Sequence, residues 1–455
     1  MEHTPNADAA SAFIAKTSDR KLPEQVLDAA RMCLVDWFGV AIAARDEGAA
    51  NAVRKVVGEW GRAGNAHVLF AGKADPAGAA MVNGTMAHCL DFDDTHVGSL
   101  AHLSGPTWAA TLAVGSALNS DPAVMLSAFV TGFEVGARIG AQGVGDALNT
   151  RTLHSTGVCG CFSAAAAASA LYRLDAGRTK YALGAAATQA AGLTGSFGTM
   201  SKPFHAGKAA FNGVLSAQLA KAGFASATDL IETDGGLASA LIQDDTVSLA
   251  PLTFADGDWE VLRNTFKPYA SCLLTHSVID CGRKLHSQIA GRNIRSVVVN
   301  VHPMTVQLAG KPDPRTPLEG KFSTAYCTAL ALSGHAAAAT DFTAKRLNDP
   351  KLRDLISRVS LKIVPEMEKT AAAMTVTLAD GGTFEADTPL ALGNPGNPMK
   401  WDEMERKFLD LTEPVLGEDA AKVFASLCRF SSPGDLETVF ALTGPQTCGL
   451  RAPGL

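Results

Sequence analysis

The segment NGTMAHCLDFDDTHVGSLAHLSGP, residues 83–106, decides how the rest of the chain is interpreted. It carries three carboxylates and three histidines: Asp91, Asp93, Asp94, His88, His96 and His102. So many ionisable groups in one short run are costly to bury unless they are paired, solvated or used in chemistry. Asp91 and Thr95 are four residues apart, so a helical turn would place both on one face. Glycines and a proline follow, which predicts a loop at His102.

Local composition leaves two interpretations of this segment open. The first is an acidic helix end followed by a polar turn, which needs no function. The second is a site, because clustered ionisable groups are enriched where proteins do chemistry. The choice depends on the remainder of the chain.

Length and charge limit the class of protein. The 455 residues are too many for one ordinary core, so two or more domains are expected. Hydrophobic residues make up 47% and charged residues 18%, a globular balance with a large buried fraction. The net charge of −6 and the lack of basic clusters argue against nucleic acid as the main partner. An anionic small molecule is compatible with this net charge, since a basic pocket does not need a basic protein.

The cysteines and the N-terminus indicate a reduced, cytoplasmic protein. Nine cysteines are scattered without a Cys-x-x-Cys pair, which fits free thiols. Cys159 and Cys161 form the only close pair, and a metal or redox site there is a minor alternative. The N-terminus is acidic and predicts no signal peptide. The charge-free run between Lys180 and Lys202 is rich in Ala and Gly, which favours a buried helix and loop over a membrane span.

Hydrophobic periodicity predicts a mainly α protein. Helices are predicted over residues 22–38, 75–86, 107–118 and 122–139, with Asp75 as a cap and Pro76 in the first turn. Strands are confined to a middle block, with Ile294–Val301, residues 360–364 and a hairpin around residues 380–382. We therefore expect a large all-helical domain built from both chain ends, residues 1–266 and 399–455. A smaller α+β lid domain, residues 267–398, is inserted between them.

A few side chains outside the opening segment could carry acid–base chemistry. His154 precedes an Ala-rich helix that Ser155 or Thr156 could cap. Lys202 ends the charge-free run and Lys267 lies at the proposed domain boundary; each could equally be an ordinary loop or hinge residue. Removing a proton next to a carboxylate creates negative charge that fixed lysines would stabilise. Asp91, His102 or His154 would accept the proton.

Ordered sequence words along nearly the whole chain resemble the MmgE/PrpD family, which includes 2-methylcitrate dehydratase, cis-aconitate decarboxylase and iminodisuccinate epimerase. The words are Leu90–Thr95, Ala101–Ser104, His154–Gly157, Lys202-Pro203 with His205-Ala206-Gly207, Lys267-Pro268-Tyr269, Lys321-Phe322-Ser323 and Lys407-Phe408. No Rossmann fingerprint, P-loop, zinc motif or nucleophile elbow competes with them.

The resemblance implies a large helical domain with a smaller lid domain, usually a homodimer, that works without metal or organic cofactor. It implies catalytic positions at Asp91, His102, His154, Lys202 and Lys267. It also implies substrate-binding positions at Thr95, Tyr326 and Ser201, the last standing where relatives often have Thr. His102 is followed by Leu, and His154 by Ser, where Pro is common in the family; these changes border the pocket and leave the substrate open.

Three functions follow from the resemblance. The first is a lyase on a small di- or tricarboxylate that expels water or CO2. The second is an epimerase or isomerase that returns the proton to the other face. The third is a catalytically silent member that only binds a carboxylate, although retention of all the acid–base positions argues against it.

Overall fold

The computed structural model describes residues 6–61, 63–233, 235–243, 247, 251–289 and 291–445. The helices of the first half are α1 (Asn6–Ala15), α2 (Glu24–Ala43), α3 (Gly48–Glu59), α4 (Pro76–His88), α5 (Ser104–Ala117), α6 (Pro122–Gly140), α7 (Val144–Thr150), α8 (Ser155–Leu171), α9 (Ala176–Ala187) and α10 (Ser201–Lys221). Those of the second half are α11 (His276–Ile289), α12 (Pro303–Ala309), α13 (Pro317–Gly320), α14 (Thr324–Leu332), α15 (Ala344–Leu347), α16 (Pro350–Ile356), α17 (Trp401–Leu416), α18 (Asp419–Arg429) and α19 (Pro433–Leu442).

The strands are β1 (Ala66–Val68), β2 (Gly72–Ala74), β3 (Thr95–His96), β4 (Asn264–Thr265), β5 (Ile294–Val301), β6 (Val359–Ile363), β7 (Ala372–Leu378) and β8 (Thr383–Thr388). The prediction of a mainly α protein is confirmed. The largest sheet has the order β6-β5-β7-β8, in which only the β5–β6 pair is parallel. Its strands are the ones predicted from the middle block.

Small residues let the central helices of the first half approach closely. α10 packs on α4 and α8, and α8 packs on α6. A Cβ on Gly207 of α10 would lie 2.1 Å from Thr85 Oγ1 of α4, so a larger residue would push these helices apart. The alanine run 164–168 is fully buried. The Ala-rich helix that follows His154 therefore lies in the core.

The last helices of the chain pack on the first ones. α17 and α18 contact α2, and Lys407 Nζ of α17 lies 2.6 Å from Asp36 Oδ1 of α2. Both side chains are buried. α17 extends through Pro414 to Leu416. How the chain divides into domains stays a prediction.

One helix of the described chain, α6, is long and apolar enough to cross a membrane by length and composition. In the structure 78% of its apolar window is buried inside the protein. It also carries Arg138, whose guanidinium donates to Glu134 one turn earlier at 3.0 Å. α6 is therefore a core helix of this structure.

Three local expectations around the site were wrong. Asp91 does not sit in a helix: α4 ends at His88, Asp91 has a φ of 51°, and Thr95 is extended in β3. Neither Ser155 nor Thr156 caps α8, because His154 occupies the N-cap position without a side-chain cap. The interpretation of Lys202 as an ordinary loop residue was also wrong, because this lysine lies in the first turn of α10. The cap at Asp75 is confirmed by its bond from the Gly78 amide.

Candidate active site

Three successive backbone carbonyls, those of Leu90, Asp91 and Phe92, each accept a hydrogen bond from a different buried lysine. Lys321 Nζ donates to the Leu90 oxygen, Lys267 Nζ to the Asp91 oxygen at 2.9 Å and Lys407 Nζ to the Phe92 oxygen at 2.8 Å; all three lysines are buried. These carbonyls lie beyond the end of α4 at His88, so they have no partner within the helix. Lysines from three distant segments therefore fix the turn that presents Asp91.

The Asp91 carboxylate lies against two ammonium groups. Its Oδ1 accepts a hydrogen bond from Lys202 Nζ and lies 3.4 Å from Lys267 Nζ. Burial alone would raise the pKa of Asp91, but Lys202 and Lys267 outweigh it and hold this pKa well below its usual value. Asp91 is consequently an anion, and the two lysines face it as fixed cations. The positive charge of Lys202 is unfavourable in the first turn of α10, because the positive end of the helix dipole lies there. The negative charge of Asp91 offsets this unfavourable interaction.

A second carboxylate, Asp93, joins two histidines. Its Oδ2 lies 2.7 Å from His88 Nδ1 and 3.3 Å from His102 Nδ1. Burial would raise the pKa of Asp93, but the two histidines hold it well below its usual value. If Asp93 accepts from His102 Nδ1–H, the Nε2 atom of His102 carries the lone pair. That atom lies 3.9 Å from Asp91 Oδ1, beside the lysine pair.

Burial lowers the pKa of the histidines in this region. Burial is the largest cause of the lowered pKa of His102, although the Asp93 carboxylate acts to raise it. Burial is also the largest cause for His88, whose pKa falls to about 3. The pKa of His154 lies well below its usual value because of burial, Lys202 and the neighbouring imidazoles. Neutral imidazole can accept a proton at one nitrogen and donate at the other. These rings are therefore in the form that acid–base chemistry requires.

These groups meet at a cavity of about 70 Å³. All five predicted catalytic residues and Thr95 line it: Asp91, Thr95, His102, His154, Lys202 and Lys267. Apolar side chains from both halves of the chain complete the wall, namely Phe197, Leu273, Leu274, Leu308 and Phe322. Lys369 also lines it and is paired with Asp146 at 2.7 Å. A larger open groove of about 420 Å³, lined by Phe13, Arg20 and Phe254 among others, contains none of the predicted site residues.

Two predicted substrate-binding residues lie apart from the cavity. The Tyr326 hydroxyl is buried and donates to the Asp341 carbonyl at 2.7 Å, and this side chain packs edge-on against Phe342. Ser201 is exposed at the start of α10, on the helix turn whose next residue, Lys202, points inward. Neither residue is among those that line the cavity. A direct substrate contact from either is not supported by this arrangement.

Side chains that could ligate a metal also occur here. One ligand atom from each of His88, Asp91, Asp93 and His102 lies within 4.8 Å of the others. Two ammonium groups on Asp91 disfavour a cation at this point, since like charges repel in a desolvated site. Elsewhere, burial raises the pKa of the Cys159 and Cys161 thiols to about 12, so both stay protonated.

Two family models together match most of the chain. The MmgE/PrpD N-terminal domain matches residues 8–250, and the MmgE/PrpD C-terminal domain matches residues 269–430. The chain belongs to the MmgE/PrpD family. The ordered sequence words of the resemblance lie within these two matched ranges, except that Lys267 and Pro268 fall between them.

Curated members of the MmgE/PrpD family align over most of the chain. Cis-aconitate decarboxylase of Homo sapiens is 27% identical over 81% of this chain and 79% of its own length. Cis-aconitate decarboxylase-like protein oryM of Aspergillus oryzae is 26% identical over 94% of this chain and 95% of its own. Cis-aconitate decarboxylase of Aspergillus terreus is 25% identical over 89% of each chain.

Several residues around this cavity had no role predicted from the sequence. Lys321 and Lys407 occurred only as parts of sequence words, and Asp93 only as part of the acidic cluster. Burial lowers the pKa of Lys321 to about 8. The carbonyls that Lys321 and Lys407 bind lie 231 and 315 residues away in sequence, so no local pattern reveals these contacts.

Proposed function

We propose that the protein is a cofactor-independent lyase that acts on a small di- or tricarboxylate, with cis-aconitate the first substrate to test. The proposal rests on one observation: Lys202 and Lys267 line the same small cavity as the neutral His102 and His154. Two ammonium groups against the single Asp91 carboxylate leave one positive charge for an anionic ligand. The names of the curated relatives support decarboxylation as the reaction class.

The geometry suits chemistry in which an electron pair is left beside a carboxylate. Breaking a C–H or a C–CO2 bond there produces an enediolate-like anion. Fixed ammonium groups stabilise that charge without reorganising, and removal of one such group typically costs on the order of 10²-fold or more in kcat. Lys202 and Lys267 have this role in the proposal. His102 or His154 takes up or returns the proton.

The competing reactions pass through a similar anion beside a carboxylate and differ in the bond that breaks and in their products. Loss of CO2 defines a decarboxylase, and loss of water defines a dehydratase like 2-methylcitrate dehydratase. Return of the proton to the opposite face defines an epimerase like iminodisuccinate epimerase. A silent family member would bind the carboxylate and release it unchanged.

One experiment separates these outcomes. Purified protein, treated with a chelator and dialysed, is incubated in D2O with cis-aconitate, 2-methylcitrate and iminodisuccinate while NMR spectra are recorded. We expect a new alkene from cis-aconitate with release of CO2. Water loss from 2-methylcitrate without CO2 release would replace the decarboxylase by a dehydratase. Deuterium in recovered substrate of inverted configuration would replace the lyase by an isomerase. No turnover, with thermal stabilisation by one compound, would indicate a binding protein.

We also propose a homodimer in the cytoplasm. The support for the dimer is membership of the family, and the support for the cytoplasm is the set of free thiols in the described chain, most of which are buried. Light scattering coupled to gel filtration tests the dimer, with twice the 47.1 kDa chain mass as the expected result.

A further inference from the structure

His154 has a ring partner outside the cavity. Its Nδ1 atom lies 3.0 Å from Nδ1 of His205, which is one turn along α10 from Lys202. His154 is buried and lines the cavity, whereas His205 is partly exposed and does not line it. The pair therefore connects the cavity wall with the outer side of α10.

The chain is shaped to allow this approach. Gly192 has a φ of 148° and its carbonyl accepts from the His154 amide at 3.1 Å. A Cβ on Gly192 would lie 3.2 Å from His205 Nδ1 and 3.3 Å from the His154 Cβ. This backbone conformation is one that L side chains rarely adopt, so glycine both permits the turn and leaves room for the two rings.

Two facing ring nitrogens can share only one proton. One ring donates it and the other accepts it, which leaves the far nitrogens in opposite states. When His154 keeps the proton on Nδ1, its Nε2 is a base; when His205 supplies the proton, His154 Nε2–H is an acid. The titratable groups that face His154 are Lys202, His88, His102 and His205, and Lys202 also faces His205.

This environment makes it costly for His154 to carry charge. Burial is the largest cause of its lowered pKa, and Lys202 adds to it; burial and Lys202 also lower the pKa of His205 to about 4. A buried imidazolium beside an ammonium group is strongly disfavoured. His154 can act as a base at neutral pH only if it passes a proton on as it accepts one.

We propose that His205 is the positioning residue for His154 and relays its proton to solvent; this rests on the proposed function. The substrate carbon loses a proton and keeps the electron pair, and His154 Nε2 gains that proton. His154 Nδ1 gives its own proton to His205 Nδ1, and His205 Nε2 releases a proton to water. Both rings stay neutral, and the reverse sequence brings a proton back to the substrate.

The test uses two substitutions in the full-length protein with the substrate that the wild type turns over. In His205→Asn the amide can still bond to His154 Nδ1 but cannot pass a proton. We expect kcat to fall on the order of 10²-fold, the usual contribution of a proton-transfer group, with KM within about threefold. In His205→Ala we expect a similar loss that imidazole in the buffer restores in a saturable way. The matched control His67→Ala, a partly buried histidine stacked on Phe440 away from the cavity, should show neither effect.

A kcat for His205→Asn above a third of the wild-type value would overturn the relay. Loss of activity in both variants without imidazole rescue would also overturn it and leave His205 a structural support. A measurement that needs no turnover keeps the two proposals separate. In wild-type protein with 15N-labelled histidine, one proton should couple to Nδ1 of both His154 and His205, and His205→Asn should abolish it. Absence of that signal in the wild type contradicts the pairing, whereas its presence in a protein that turns over no carboxylate contradicts only the proposed function.

Discussion

Lys267 holds Asp91 at two points: its Nζ donates to the Asp91 backbone carbonyl at 2.9 Å and lies 3.4 Å from the Asp91 carboxylate. The residue that positions the turn is thus also a charge on the cavity wall. Lys267 is fully buried and Asp91 nearly so, which makes the pair sensitive to loss of either partner. The electrostatics of the site and the stability of the segment between α4 and β3 are consequently linked.

Replacing Asp91 by Asn should destabilise the protein, and an anion should reverse part of the effect. Asn tolerates the left-handed backbone at this position, so the change removes charge without adding strain. Lys202 and Lys267 then lose their counterion, and breaking a buried ion pair typically costs about 3–5 kcal/mol. Thermal unfolding with and without citrate measures this. The control is Asp46→Asn, which breaks the exposed pair with Arg45 and should change neither the stability nor its response to citrate. An Asp91→Asn protein as stable as wild type would contradict the pairing.

Lys202→Met should abolish turnover while the fold is retained. Met keeps the length of the side chain, and Asp91 keeps its contact with Lys267, so the loss is that of one stabilising cation. We expect kcat to fall at least ~100-fold. Lys208→Met on the same helix is the matched control, because Lys208 is half-buried, bonded to Asn212 and outside the cavity. Equal rates for the two variants would remove Lys202 from the site.

Asp94 should make the protein less stable as pH rises. Burial and the neighbouring Asp36 raise its pKa from 3.8 to about 8. The folded state then retains a proton that the unfolded chain releases above about pH 4, so stability falls between about pH 4 and pH 8. Asp94→Asn should flatten the dependence of the melting temperature on pH over that interval, whereas Asp121→Asn on the surface should not. An unchanged slope in Asp94→Asn would assign the effect to other groups.

Tyr326→Phe should affect stability more than catalysis. The substitution leaves the buried Asp341 carbonyl without its donor, which typically costs about 1–3 kcal/mol. Because Tyr326 does not line the cavity, kcat/KM should stay within about threefold of wild type. A tenfold loss of kcat/KM in a protein of unchanged stability would restore the substrate contact that the family resemblance implied.

The Lys369–Asp146 pair should hold the cavity closed. Lys369 lines the cavity and Asp146 belongs to α7, so the pair ties two distant segments together at 2.7 Å. Both side chains are about a third exposed, which limits the contribution to about 1 kcal/mol and the effect to about fivefold. Lys369→Met should therefore raise KM up to fivefold. Lys180→Met, which breaks the similarly exposed pair with Asp8, should leave KM unchanged.

The regular elements could be predicted because their signals are local. The β-branched alternation of Ile294–Val301 and the Asp380–Gly382 turn signal correspond to β5 and the β7–β8 hairpin. The cap at Asp75 likewise depends on three neighbouring residues. The class of fold and most elements follow from such patterns.

The geometry of the site could be predicted only in part. The four-residue spacing of Asp91 and Thr95 suits a helix, but lysines from distant segments bind the carbonyls there and stabilise a left-handed turn instead. The sequence gives no signal for the contact of His205 with His154, because the two rings are 51 residues apart. Tertiary contacts of this length determine which ionisable groups face the cavity.

A crystal structure with cis-aconitate, or a non-reacting tricarboxylate such as tricarballylate, bound to the protein would show whether the Asp91 cavity is the substrate site. We expect a ligand carboxylate within hydrogen-bonding distance of Lys202 and Lys267 Nζ, with the His154 ring facing the carbon beside it. A ligand bound only in the groove between Phe13 and Phe254, with the Asp91 cavity empty, would contradict it.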